Sequence, residues 1–427
     1  MPHSIKGLYK GEGKQNFIDE QEKVIGGTMK KKILFMVINM NIGGTEKALL
    51  NMVAEIPKDK YEVTILMLEK KGGFLNFIPN GVRIEYLKEY EEMQHILNKP
   101  SRVVIVDLMK QREFVKVFQI AFLHLISKIM KERSVVLKYC LRNYEDVYKN
   151  YDIAIAYAGP MDFISYFVAN KINARRKVQW VHFDIEKIYF NKYFASKVYK
   201  KFQHIFVVSD LGKKKLTQTV PELINKTETF LNIISPEMIA NMANKGMGFE
   251  DNFEGVRILT VGRLSIEKGQ DLTISVLAKL KETGYNVRWY CIGDGKERGM
   301  YEKLVENYGI QGEYIFLGAV SNPYPFMKQC DIYVQPSRYE GYCITLAEAR
   351  CFNNPIISTN FTGASEQIIH NHNGLIVQFD EQQMYDSIVQ ILGDKLLEGR
   401  LRGNVEKEVV DTREELKKLY RIADSNV

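Results

Sequence analysis

From Lys32 onward, short apolar runs alternate with longer amphipathic segments, and the alternation comes in two series. Ile33–Ile38 is an unbroken apolar run of strand length, as expected of a parallel strand covered on both faces. Asn39–Gly44 breaks it as a loop, and the following TEKALLNMVAEI places Ala48, Leu49, Met52 and Val53 at helical spacing. YEVTILML and GVRIEYL read as the next two strands, and YDIAIAYA, KVQWVHF and HIFVVS as three more, with helical stretches between them. The second series is VRILTVGRL, NVRWYCIGDG, YIFLGAV, DIYVQPS, NPIISTN and NGLIV. Such alternation predicts an α/β fold with two doubly wound, Rossmann-like domains in tandem. Between the series, LNIISPEMIANMANKGMGFEDNFEGV mixes Pro, Gly and Asn with acids and reads as a linker. The expected organisation is a flexible extension over 1–28, an N-terminal domain over 29–232, a linker over 233–252, a C-terminal domain over 253–395 and a charged helical tail over 396–427.

One segment has an amphipathic pattern with two destinations. Arg112–Arg133, REFVKVFQIAFLHLISKIMKER, is mostly apolar, with Lys116, Lys128, Lys131 and Arg133 around it. It suits an interfacial helix on anionic lipid, or equally a helix packed on the N-domain sheet.

Composition narrows the classes. A chain of 427 residues fits two domains, and 45% hydrophobic with 26% charged residues is ordinary for a folded globular protein. Cys140, Cys291, Cys330, Cys343 and Cys351 are scattered and without close pairs, which argues against a disulfide framework or a zinc site and points to a reducing, cytoplasmic compartment. Residues 1–28 lack an apolar core, so no signal peptide is expected. Charge is unevenly shared. Lys30–Asn232 holds 34 Lys and Arg against 21 Asp and Glu, a net of +13, whereas Ile233 onward is net −6. A basic N-terminal half suits a membrane surface or a lipid phosphate ahead of nucleic acid, with a solvated basic surface as the bland alternative.

In doubly wound sheets ligands sit at the carboxyl ends of the strands, which singles out three loops. In Asn41–Glu46, Gly43 and Gly44 allow close backbone approach and expose amides at a helix start, although a plain tight turn would use Gly-Gly as readily. In VGRLSIEKGQD, Arg263 and Lys268 are two cations after a strand, a fork and a point charge suited to a diphosphate; solvated charges are the competing reading. In SRYEGYCITLAEA, Glu340 lies in a loop and Glu348 eight residues on, in a helix starting near Thr345. Gly341 permits a turn that frees the amides of Tyr342, Cys343 and Ile344 to face a ligand. Carboxylates accept from ribose and sugar hydroxyls, so the two glutamates flank the place of a sugar nucleotide. His182 follows a strand of the first series, where a core histidine is the alternative to a functional one, and Asp184 either orients it or caps the next helix.

GGTEK, GRLSIEKGQD, GDG and EGYCITLAEA together resemble glycosyltransferase family 4, a retaining family of the GT-B fold, over Lys32 to about Val377. The resemblance implies two Rossmann-like domains facing across a cleft, with an acceptor-side N-terminal domain and a nucleotide-sugar-binding C-terminal one. It implies that Glu340 and Glu348 contact the donor sugar and ribose, that Arg263 and Lys268 hold the diphosphate, that Gly43 and Gly44 close over it, and that His182 approaches the sugar. Cys343 departs from the glycine usual in the family, and Arg350 stands where small or apolar residues are more common. The implied reaction is front-face attack by an acceptor hydroxyl, with no metal, no cofactor and no covalent nucleophile. The expected partners are a nucleotide sugar, a glycan or lipid-linked acceptor and an anionic membrane surface, but no nucleic acid, and the setting is cell-envelope or exopolysaccharide synthesis. A GT-B epimerase or phosphorylase, or a non-catalytic partner of a transferase, are the alternatives.

Overall fold

The computed structural model describes residues 29–88, 90–144, 150–408 and 410–425, so the expected extension over 1–28 and the last two residues of the tail lie outside the described part. The N-terminal sheet contains β1 (Lys31–Val37), β2 (Tyr61–Met67), β3 (Arg83–Tyr86), β4 (Tyr151–Ala156), β5 (Ala174–Val181), β6 (His204–Val207) and β7 (Thr227–Thr229), in the order β3-β2-β1-β4-β5-β6-β7. The C-terminal sheet contains β8 (Val256–Val261), β9 (Val287–Ile292), β10 (Tyr314–Gly318), β11 (Ile332–Gln335), β12 (Ile356–Thr359) and β13 (Leu375–Val377), in the order β10-β9-β8-β11-β12-β13. Neighbouring strands are parallel throughout. Each sheet therefore has one switch point, between β1 and β4 and between β8 and β11, where loops diverge and leave a crevice.

The apolar runs form these strands because both faces are covered. Along β1, Ile33, Phe35 and Val37 join one core while Leu34 and Met36 join another. The first of these cores is shared: it runs from β1 through Phe230, Ile233 and Ile234 to Leu259 and Val261 of β8. The far faces of the two sheets keep separate cores.

The structure adds β7, which no strand candidate had covered, and refines the sequence reading at the linker, the tail and one helix. The linker stretch contains a helix, Pro236–Ala243, whose Ser235 cap accepts from the Met238 amide, and Ile239 and Ala243 are buried. The tail divides in two. Helix Lys395–Lys407 belongs to the C-terminal domain, burying Leu397, Leu401 and Val405, whereas helix Leu416–Asp424 crosses back to the N-terminal domain. There Tyr420 stacks on Tyr61 at 5.0 Å, Lys31 Nζ donates to the Ala423 carbonyl at 2.7 Å, and Lys418 Nζ donates to the Thr229 carbonyl at 2.7 Å. Finally, helix Phe114–Met130 does not pack on the sheet by its apolar side: only Val117 and Ile120 are buried, and the larger apolar residues face solvent. Among the described residues no helix is long and apolar enough to cross a membrane.

Leu419 is fully buried in the core that both domains share. Leu419→Ala should therefore destabilise the protein by roughly 2–5 kcal/mol, read as a lowered denaturant midpoint, and should do so in a single transition because the helix ties the domains together.

Candidate functional site

The two switch points face each other across a cavity of about 580 Å³. Its N-terminal wall comes from the loop after β1 and the loop after β5, and its C-terminal wall from the loops after β8, β9 and β11. All ten residues singled out above line it: Gly43, Gly44 and His182 on one side, and Arg263, Lys268, Glu340, Tyr342, Cys343, Ile344 and Glu348 on the other.

On the N-terminal wall, Gly43 is the extended N-cap of helix Gly44–Glu55 and offers no side-chain cap to the Gly44 and Thr45 amides, while the Glu46 amide bonds to its own carboxylate. A Cβ on Gly43 would lie 2.5 Å from Glu46 Oε2 and 3.1 Å from Arg263 Nη2. The missing side chain thus makes room for Glu46 to face Arg263 across the cleft. Burial pushes the Glu46 carboxyl above its ordinary range, against the pull of a backbone hydrogen bond and of Arg263. A Cβ on Gly44 would meet only Ile344 Cγ2, at an ordinary 3.7 Å.

On the C-terminal wall, Lys268 ends a short 3-10 turn, and Gly269 in the left-handed region (φ 72°) starts helix Gln270–Glu282. The Lys268 ammonium is paired with Glu340, whose Oε1 also accepts from Ser337 Oγ at 2.9 Å. Burial works against the Lys268 charge, but the Glu340 carboxylate outweighs it and holds the pKa above the ordinary lysine value. Glu348 lies in helix Ile344–Ala349 with 2% of its surface exposed, accepting from Tyr324 Oη at 2.8 Å. Burial raises its pKa, partly offset by Lys47, which reaches over from the N-terminal domain and sits 5.0 Å from the Tyr324 ring centre. Lys47 in turn is pushed down by burial, with Glu348 opposing.

The remaining expectations resolve as follows. Gly341 has a reason other than a tight turn: a Cβ there would collide with the His182 carbonyl of the opposite wall. Cys343 holds φ 66° and ψ 81°, a left-handed conformation that glycine adopts without cost. Burial and then the Glu340 carboxylate push its thiol up to about 12, so it stays protonated. Asp184 neither orients His182 nor caps a helix. Its Oδ1 accepts from the Glu186 amide at 3.0 Å, and its Oδ2 accepts from Lys215 Nζ at 2.6 Å and from Thr362 Oγ1 of the other domain at 2.5 Å. Arg350 donates to Glu408 at 3.0 Å and so anchors the end of helix Lys395–Lys407, away from the cavity.

His182 is 7% exposed, edge-on to Tyr157 at 4.4 Å. Burial pushes its imidazole down to about 3 against a hydrogen bond to the Tyr157 backbone, while its Nε2 has no partner. A ring that donates to a backbone carbonyl through Nδ1 leaves Nε2 as a bare acceptor, buried at the cavity wall. The sequence reading had passed over Glu46, Lys47 and Asp294, which also line the cavity. The first two are visible only as part of GGTEK, and Asp294 only as part of GDG, whose Gly293 and Gly295 let its loop press against Gly262 and Leu264 beside Arg263.

Residues 251–408 match the family model Glycosyl transferases group 1. The chain is 28% identical over 209 residues to N-acetylgalactosamine-N,N'-diacetylbacillosaminyl-diphospho-undecaprenol 4-alpha-N-acetylgalactosaminyltransferase of Campylobacter jejuni, covering 48% of this chain and 55% of that protein. It is 27% identical over 155 residues to the capsular polysaccharide biosynthesis glycosyltransferase CapM of Staphylococcus aureus, covering 36% and 40%. The chain spans about half the length of such curated relatives or less. Among solved structures, Anabaena Alr3699/HepE in complex with UDP superposes with TM-score 0.61 at 17% identity, over 92% of this chain and 99% of that one. A mutant of S. aureus TarM in complex with fondaparinux, alpha-GlcNAc-glycerol and UDP superposes with TM-score 0.67 at 14% identity, over 92% and 100%.

Two outcomes check the site. Gly341→Ala should force the walls apart, since backbone rather than a movable side chain stands in its way, and should enlarge the radius of gyration in solution scattering; Gly44→Ala should leave it unchanged. A His182 imidazole held near 3 when folded and near its ordinary 6.5 when unfolded means the unfolded chain binds the extra proton. Stability should then fall as pH drops from 6.5 towards 3, and His182→Gln should flatten that part of a denaturation–pH profile.

Proposed function

We propose that this chain, a GT-B protein whose residues 251–408 form a Glycosyl transferases group 1 domain, transfers a sugar from a nucleotide donor to an acceptor hydroxyl with retention of anomeric configuration. The observation that carries the reading is the convergence of Arg263, Lys268, Glu340 and Glu348 with His182 on one cavity between the two domains. Arg263 and Lys268 would hold the donor diphosphate, assisted by the open amides of helix Gly44–Glu55 and of Tyr342, Cys343 and Ile344. Glu348, backed by Tyr324, would accept from the ribose hydroxyls, and Glu340 from the sugar. His182 would accept from a sugar hydroxyl at its unpartnered Nε2.

As the donor bond breaks, charge grows on the β-phosphate oxygen, and the Arg263 and Lys268 cations beside it would stabilise that charge. That oxygen would take the acceptor's proton on the same face, so that the new bond forms where the old one was and configuration is kept. No metal is called for in this scheme. The acceptor would enter from the N-terminal side. The names of the relatives, a capsular polysaccharide enzyme and an enzyme of a diphospho-undecaprenol glycan, support a glycan or lipid-linked acceptor in cell-envelope polysaccharide synthesis, at the cytoplasmic face of a membrane.

Nucleotide sugars should be screened with acceptor present and absent, beginning with uridine diphosphate sugars because the structural neighbours hold UDP. A transferase releases nucleoside diphosphate at speed only with acceptor, gives a product whose anomeric coupling matches the donor, and is indifferent to a metal chelator. Isomerised donor would instead mean an epimerase, and no turnover with any donor a non-catalytic partner. Lys268→Ala and Glu348→Gln should each lower kcat by two or more orders of magnitude, about 3 kcal/mol of transition-state stabilisation; near-normal turnover in either would show that the donor sits elsewhere.

A further inference from the structure

Helix Phe114–Met130 turns Phe114, Phe118, Phe122, Leu125 and Ile129 outward at intervals of three or four residues, which places them in one stripe. Phe118 is 77% exposed and Ile129 72%. A contiguous stripe of this size facing water is a surface awaiting a partner. Near its C-terminal end, Leu125 also lines a second cavity, together with His124, Ser127, Lys128, Lys131, Glu132 and Arg133. The acid among these residues, Glu132, is already taken by Lys197 at 2.8 Å and Ser134 Oγ at 2.6 Å, so the cavity keeps the positive charge of the other three. His124 Nε2 and Ser127 Oγ are buried there without hydrogen-bond partners. Cations beside spare neutral hydrogen-bonding groups are what phosphate oxygens require.

The flanks decide which partner fits. Arg112 precedes the stripe, Lys128 stands on its last turn, and Lys131 and Arg133 follow it, the arrangement of a helix lying in an anionic lipid interface with its apolar side among the acyl chains. The excess charge of the N-terminal half is of the same sign. The place is also suited to the acceptor side. Ile188 lines the cleft between the domains and Tyr189, its neighbour in the chain, lines the second cavity, so a single loop separates the two.

We propose that this stripe docks on an anionic phospholipid bilayer, and that the cavity of Lys128, Lys131 and Arg133 seats a lipid phosphate one loop away from the transfer cleft. The proposal deepens the reading of the protein as a transferase acting at a membrane, by naming the surface and the lipid chemistry, but binding to lipid is measured without any transfer.

Sedimentation with vesicles of phosphatidylcholine alone, or of phosphatidylcholine and phosphatidylglycerol in equal parts, tests it. The wild-type chain should pellet with the mixed vesicles and not with the neutral ones. Lys128→Gln combined with Lys131→Gln should weaken partitioning about thirtyfold, the effect of two charges at about 1 kcal/mol each. Phe118→Ser combined with Phe122→Ser should abolish it, and both variants should keep the wild-type circular dichroism and melting curve. Equal binding to both vesicle types, full-strength binding by the lysine variant, or no binding with self-association through the stripe would each overturn the proposal. A chain that binds the mixed vesicles but no nucleotide sugar would overturn the transferase reading and leave this one standing.

Discussion

Two cations held at the mouth of one loop are the constraint around which the cleft is organised. Lys268 loses hydration in the cleft and is repelled by Arg263, so it needs an opposite charge even when the cleft holds nothing else, whereas Arg263 stays exposed. Glu340 supplies it within the C-terminal domain, and Glu46 on the opposite wall faces the Arg263 guanidinium without forming an ion pair with it. The same pattern recurs deeper in, where Lys47 of the N-terminal domain faces Glu348 and Tyr324 of the C-terminal one. A diphosphate entering this cleft would compete with carboxylates for their cations, offering more charge and several acceptor oxygens in exchange. The glutamates so released are then free to accept from hydroxyl groups, so one exchange of partners would serve both the phosphates and the sugar.

The fold makes that exchange possible by bringing two switch points face to face at short range. Contact is close enough that backbone sets the limit: the His182 carbonyl leaves no room for a side chain at Gly341. Around the rim, polar bridges connect the domains. Asp184 joins Lys215 to Thr362, and the Glu366 carboxylate accepts from the amides of Asp210 and Leu211 at 3.1 and 2.8 Å, at the start of helix Asp210–Thr219. Behind the cleft the shared core and the returning helix Leu416–Asp424 act as the permanent connection. Hydrogen-bonded rims are easier to part than an apolar core, so any opening of the cleft would pivot about Phe230–Ile234 and the helix that packs beside it.

Much of this was legible in the sequence because strand-end loops carry their chemistry locally. The apolar runs gave both sheets, and Gly43, Arg263, Lys268, Glu340 and Glu348 each stand within a few residues of a strand end or on the first turns of the helix that follows one. What was not legible depends on the other domain. Glu46 and Lys47 look like ordinary charges of an amphipathic helix until Arg263 and Glu348 are set opposite them. Asp184 has no meaning as a bridge without Lys215 and Thr362, and Arg350 none without Glu408. β7 was missed because Thr227–Thr229 has no apolar run to announce it, and the tail was read as one unit because helical periodicity does not reveal which domain a helix returns to.

The helix Phe114–Met130 marks the same limit from the other direction. Its spacing of large apolar residues suits a helix laid on a sheet as well as one lying in a lipid interface, and periodicity alone does not choose between them. The sheet face is instead completed by other residues: Leu137, Leu141, Phe163, Phe167 and Phe194 fill the second core, while only Val117 and Ile120 anchor this helix inward. An apolar side left over after the core is full does not stabilise the folded monomer. Its retention makes physical sense where water is not the solvent it meets, and the cations at its two ends supply the sign of the surface that would replace water.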